Sequence, residues 1–135
     1  MIMNNAKITL LCLVVLVSLC SSGCLWIAVG AAGAGVGVGT YAYVRGELEA
    51  VYASAYQETW TATLAALDSL EMRKKSASKD AFGGRIDAAR ADGTPITIRV
   101  TPITPTGTSV KIRIGFFGNR EMSTMIADQI KAELP

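Results

Sequence analysis

Cysteine is the most reactive side chain in this sequence, and its three copies, Cys12, Cys20 and Cys24, all stand in the first quarter of 135 residues. A thiolate serves as a nucleophile, a metal ligand or the acceptor of a covalent group. Past residue 24 there is no cysteine, so the rest of the chain has no disulfide, no thiolate zinc site and no cysteine nucleophile. Histidine is absent altogether. That removes the commonest general base, the commonest metal ligand and the usual pH switch. Asp80, Asp87 and Asp92 are irregularly spaced and lack the calcium-loop pattern. No glycine-rich loop leads into Lys-Ser or Lys-Thr, and no nucleophile-elbow motif is present. These observations point away from an enzyme, and no catalytic residue, metal or cofactor is expected. With 13 Lys+Arg against 11 Asp+Glu, the basic stripe that marks a nucleic-acid partner is missing as well.

The cysteine best placed for chemistry is Cys24. Residues 1–7 are short and polar and carry Lys7; residues 8–19 are nearly all apolar; Ser21, Ser22 and Gly23 then lead into Cys24. A charged start, an apolar run of about 7–15 residues and small residues before a cleavage point define a secretory signal peptide. The apolar run is too short to span a bilayer, which takes about 20 residues. Gly23-Cys24 resembles the lipobox of bacterial lipoproteins, in which the cysteine is acylated and becomes the first residue. Ser21 stands where that pattern most often has Leu, and Leu19 is too bulky to make Cys20 the modified residue. The resemblance implies cleavage after residue 23, a membrane lipid partner through acylated Cys24, and location in the cell envelope. Leu25 rather than Asp after the cysteine implies the periplasmic face of the outer membrane in a Gram-negative cell.

Residues 25–44 carry one charge-free run, with glycines at 30, 33, 35, 37 and 39. Gly33/Gly37 and Gly35/Gly39 have the small-xxx-small spacing that lets apolar helices approach closely in membranes. Trp26 stands at one end and Tyr41 and Tyr43 at the other, as interfacial aromatics do. Two readings remain open. Residues 24–44 form either an apolar tether lying against the bilayer or a segment that inserts and self-associates, with Trp26, Gly33, Gly35, Gly37 and Gly39 making the contacts. Five glycines favour the tether, because each costs up to about 1 kcal/mol in a helix interior.

Residues 45–135 must supply the folded part. The spacing predicts a strand over 47–53 with Leu48 and Tyr52 on one side. Ser54 and Gln57 have capping-box spacing and predict the start of a helix. Its apolar stripe is Tyr56, Trp60, Leu64 and Leu67, read as core packing. Residues 72–79 predict an extended polar segment with Arg73, Lys74, Lys75 and Lys79, suited to a solvated edge or to anionic headgroups. Residues 85–91, 94–101 and 108–116 alternate with period two, placing Ile86, Ala88, Ile96, Ile98, Val100, Val110, Ile112, Ile114 and Phe116 inward. Asp92-Gly93 predicts a hairpin, because both residues tolerate positive φ, and residues 102–107 a longer turn. Asn119 predicts the cap of a second helix with Met122, Met125, Ile126, Ile130 and Leu134 on one stripe. The expected architecture is α+β: a two-layer sandwich of about five antiparallel strands with two helices on one face, in the order β-α-β-β-β-β-α.

The lipobox, the apolar Gly/Ala run, Tyr43-Val44-Arg45-Gly46-Glu47-Leu48, the Trp60 helix, Ala91-Asp92-Gly93-Thr94 and Phe117-Gly118-Asn119 occur in order. Together they resemble a domain-of-unknown-function family of small uncharacterised bacterial lipoproteins. The resemblance implies location and fold and transfers no activity. The expected role is a membrane-anchored, non-enzymatic binding or assembly module with an envelope protein partner. The alternative is a self-associating or membrane-inserting protein acting through residues 25–44.

Overall fold

The computed structural model describes residues 39–135. Six strands and two helices follow one another: β1 Tyr41–Val44, β2 Glu47–Tyr52, α1 Tyr56–Ser69, β3 Arg73–Lys79, β4 Gly84–Ala89, β5 Pro95–Thr104, β6 Gly107–Ile114 and α2 Arg120–Glu133. All strands join one antiparallel sheet in the order β1-β2-β6-β5-β4-β3. The α+β class and the two helices agree with the sequence expectation. The sheet has six strands rather than about five, and the order is β-β-α-β-β-β-β-α. The additional strand is β1, at the end of an apolar run whose composition hides its period of two. Tyr41 and Tyr43 pair with Ala50 and Leu48 and pack against the core, while Val44 is exposed.

One face of the sheet is apolar because the period-two positions point the same way. Leu48, Ala50, Ile86, Ile96, Ile98, Val100, Val110, Ile112 and Ile114 are all buried, in one cluster with Trp60, Ala66, Leu67, Ile126, Ala127 and Ile130 of the helices. Burying a side chain such as Ile112 contributes about 1.5–3 kcal/mol. Trp60 fits because Gly84 faces it; a Cβ at Gly84 would overlap the indole ring. On the other face the charges pair across strands. Arg99 meets Glu47 at 3.1 Å and Lys111 meets Glu49 at 3.7 Å, while Arg85 meets Asp87 along β4 at 2.9 Å. β3 is an edge strand exposed along its whole length. Lys74 pairs with Asp68 at 2.7 Å, and Lys79 bonds Gln57 and lies over the Trp60 ring. Charged residues of this kind blunt an edge against pairing with other chains.

Several local expectations need correction. The start of α1 has no capping box: Ala55 is the cap, without a side-chain bond, and Ser54 donates to Glu58 instead. The stripe of α1 keeps Trp60 and Leu67 in the core with Tyr56 and Leu64 packed against it, but it also buries Thr59, Thr63 and Ala66, and the two threonine hydroxyls donate back to carbonyls one turn earlier. Such bonds let a threonine face a core without an unsatisfied hydroxyl. The hairpin expected at Asp92-Gly93 is present, joining β4 to β5, and there only the glycine has positive φ, at 89°. Asp92 instead accepts from the Thr94 amide, and the Gly93 amide donates to the Arg90 carbonyl. Residues 102–104 belong to β5, with a register shift between Pro102 and Thr104 that accommodates a residue unable to donate. β6 ends at Ile114, so Phe116 lies outside the sheet and is 82% exposed.

The second helix starts as its sequence predicts. Asn119 is extended, and its side chain accepts from the Met122 amide at 3.0 Å. Asn119→Ala should therefore cost about 1 kcal/mol in a denaturation titration. An unchanged midpoint would mean that the cap contributes nothing.

Candidate functional site

Strand register divides the loops of the domain between two ends. One row across the sheet runs Tyr41, Ala50, Val110, Val100, Gly84, Lys79. Beyond it lie Gly39, where the preceding chain joins, and the β3–β4 and β5–β6 turns. A second row runs Val44, Glu47, Arg113, Thr97, Asp87, Ser76. Beyond that row lie the β1–β2 turn, the β4–β5 turn and the β6–α2 connection, which are the Tyr43–Leu48, Ala91–Thr94 and Phe117–Asn119 motifs. Far apart in sequence, they meet at the end of the sheet away from Gly39.

Two of the motifs interlock. β1 and β2 are joined by two residues, Arg45 with φ 53° and Gly46 with φ 81°. Both central residues at positive φ make the tight hairpin turn whose twist suits antiparallel strands. Gly118, with φ 83°, sits against this turn. A Cβ on Gly118 would overlap the Gly46 carbonyl and fall 2.5 Å from the Tyr43 hydroxyl; a Cβ on Gly46 would fall 2.5 Å from the Phe117 carbonyl. Arg113 fastens the two turns together, donating to the Arg45 carbonyl at 3.3 Å and to the Phe116 carbonyl at 2.8 Å. Arg120 lies over the Tyr43 ring, 5.8 Å from its centre.

This corner holds Phe116 and Phe117 out of the core. Their rings meet edge to face at 5.0 Å and are 82% and 87% exposed. Contiguous exposed apolar surface is a feature of interaction sites, and aromatics are prominent among the residues that dominate binding. At the same end a cleft of about 330 Å³ lies between the end of α1, the β4–β5 turn and the start of α2. Met72, Met122 and Met125 line it with Arg90 and Asp92. Methionine adapts its shape to an apolar guest, and Met125 is 46% exposed.

The carboxylates singled out in the sequence have structural partners. Asp80 accepts from the Phe82 and Gly83 amides at 2.8 and 3.1 Å. Asp87 accepts from Arg85, Thr97 and Ser76, and its bond to Arg85 holds its carboxyl below the ordinary range. Asp92 accepts from the Thr94 amide, which likewise holds its pKa down. Tyr52, buried, donates to the Ala127 carbonyl at 2.8 Å; Tyr41 donates to Asp128 at 2.7 Å. Burial first, then Asp128, pushes the Tyr41 hydroxyl up to about 12. Among the described residues no cluster of His, Cys, Asp and Glu could hold a metal ion, and no helix is long and apolar enough to cross a membrane.

Of the residues predicted for anchoring, Cys24, Trp26, Gly33, Gly35 and Gly37 lie outside the described residues. Gly39 has φ 78°, and its amide donates to the Val51 carbonyl at 2.8 Å, adding a bond beside the β1–β2 pairing. The Phe116–Phe117 pair was missed as a surface because strict alternation placed Phe116 in the core. The signal that could have found it is Gly115, whose φ of 66° ends the strand one residue earlier. A protein-family model described as "Protein of unknown function (DUF3568)" matches residues 7–133. No curated protein matches the chain.

Proposed function

The chain belongs to the DUF3568 family, and from that premise we propose that it is an envelope lipoprotein, acylated at Cys24, whose domain is a non-enzymatic docking module. The observation that carries this reading is the placement of the exposed Phe116–Phe117 pair at the sheet end away from Gly39. A module held by its N-terminal side offers its far end to a partner. The aromatic pair and the methionine-lined cleft suit an apolar segment of another envelope protein. The engaged carboxylates and the lack of histidine support a binding role over catalysis. Several acyl chains, each contributing about 0.8 kcal/mol per buried CH₂, hold a protein stably at a membrane.

Two measurements test this. The mass of the purified native protein should equal that of residues 24–135 plus acyl groups, and Cys24→Ser should move the protein out of the membrane fraction. A leader still attached, with Cys24 unmodified, defeats the anchor. For the docking surface, a photocrosslinker at position 121, in the exposed first turn of the helix that follows the pair, should capture a different protein in intact cells. Phe116→Ser with Phe117→Ser should abolish that adduct while changing stability by no more than about 0.5 kcal/mol, as suits exposed positions. Retention of the adduct in the double variant removes the pair from the interface.

A further inference from the structure

We propose that the opposite end of the sheet, carrying Phe82 and Ile103, sits in the interfacial layer of the lipid bilayer. The inference rests on the anchor reading above and goes beyond it by fixing which way the domain faces.

Three observations combine. Phe82 is 86% exposed and stands in the β3–β4 turn, and Ile103 is 47% exposed near the β5–β6 turn. Both lie beyond the row Tyr41, Ala50, Val110, Val100, Gly84, Lys79, at the end where the chain comes in through Gly39. The Phe82 turn is built rather than loose. The Asp80 side chain accepts two amides, of Phe82 and Gly83, and the Asp80 amide donates to the Gly83 carbonyl at 2.8 Å. A fixed backbone holds the aromatic ring clear of the core, uncovered by any of the described residues.

The chain leading to this end supplies the occupant. Residues 25–38 contain no charge and start with Leu25-Trp26-Ile27. Such a stretch loses free energy by lying against lipid rather than in water. Even fully extended, the link from Cys24 to Gly39 reaches only about 50 Å. An apolar link held to the surface brings Gly39, and with it this end of the sheet, to the headgroups. Aromatic and aliphatic side chains there enter the boundary layer by about 5–10 Å. Phe116 and Phe117, at the far end, stay in water, available to a partner.

The test uses the native lipidated protein in vesicles of phosphatidylethanolamine and phosphatidylglycerol. Phe82, Ile103 and Phe117 are replaced one at a time by cysteine and labelled with an environment-sensitive dye. Acylation is read by mass on the same preparation. Dyes at 82 and 103 should emit blue-shifted light and be quenched by nitroxides buried in the bilayer, and the dye at 117 should do neither. A variant Phe82→Asp should lower quenching at 103 with an unchanged unfolding midpoint. An acylated chain with a water-exposed dye at 82, or a quenched dye at 117, overturns the inference and leaves the anchor standing. A dye at 82 shielded in cells but not in vesicles assigns that end to a protein and also overturns it. An unacylated chain overturns the anchor reading and the inference with it.

Discussion

Gly118→Ala should destabilise the domain by about 2–5 kcal/mol, the sum of left-handed strain of about 1–2 kcal/mol and overpacking of about 1–3 kcal/mol. At φ 83° an L side chain is already unfavourable, and here its first carbon overlaps the Gly46 carbonyl. The neighbour that must yield is backbone, and that backbone is itself a two-residue turn tied down by Arg113. The melting temperature should fall by about 8–40 °C, since each kcal/mol is worth about 4–8 °C in a domain of this size. Gly93→Ala provides the control. Gly93 also has positive φ, 89°, but nothing lies within 4 Å of a Cβ placed there. It should show the strain alone, about 1–2 kcal/mol. Equal losses in the two variants would mean that the interlock adds nothing.

Alkali should unfold the domain, and buried Tyr52 with partly buried Tyr41 decides where. Tyr41 is raised from 10.0 to about 12 by burial and by Asp128. Tyr52 is raised further, chiefly by burial, with Tyr41 and Asp128 adding to it. A raised phenol favours the neutral form in the folded state. Its stabilisation is full below the unfolded value near 10 and is lost as pH climbs toward the folded value. Stability in urea should therefore be level up to about pH 9.5 and decline between about 10 and 12. Tyr52→Phe should flatten that decline, at a cost near neutrality of about 0.5–1.5 kcal/mol for the lost bond to the Ala127 carbonyl. The comparison between the two proteins is the informative quantity. Identical slopes in both would falsify the assignment to Tyr52.

How much of this was legible in the sequence depends on how local the cause is. The strands from Gly84 to Ile114 show their alternation openly, because one face is apolar and the other charged. Asn119 announces its helix because a cap works within four residues. β1 is hidden in an apolar run, where composition resembles a membrane segment and four residues are too few to show a period. The Arg45-Gly46 turn is hidden because arginine seldom takes positive φ; Arg113, distant in sequence, helps hold it there. The capping box at Ser54 failed because Glu58 competes for the hydroxyl, a contact that spacing alone does not weigh. The candidate surface was least legible of all. Its motifs were visible one by one, but only strand register brings them to the same end.

The interlock of Gly46 with Gly118 also bears on when this protein becomes usable. The first hairpin leaves the ribosome, and on the export reading crosses the membrane, long before the segment that closes over it. Until Phe117 and Gly118 arrive, the Arg45-Gly46 turn has nothing to seat against. A chain stopped short of Phe117 carries the hairpin but lacks the segment that closes over it, so such a copy has no interlocked corner. On the docking reading, the surface thus doubles as a certificate that synthesis has passed Gly118.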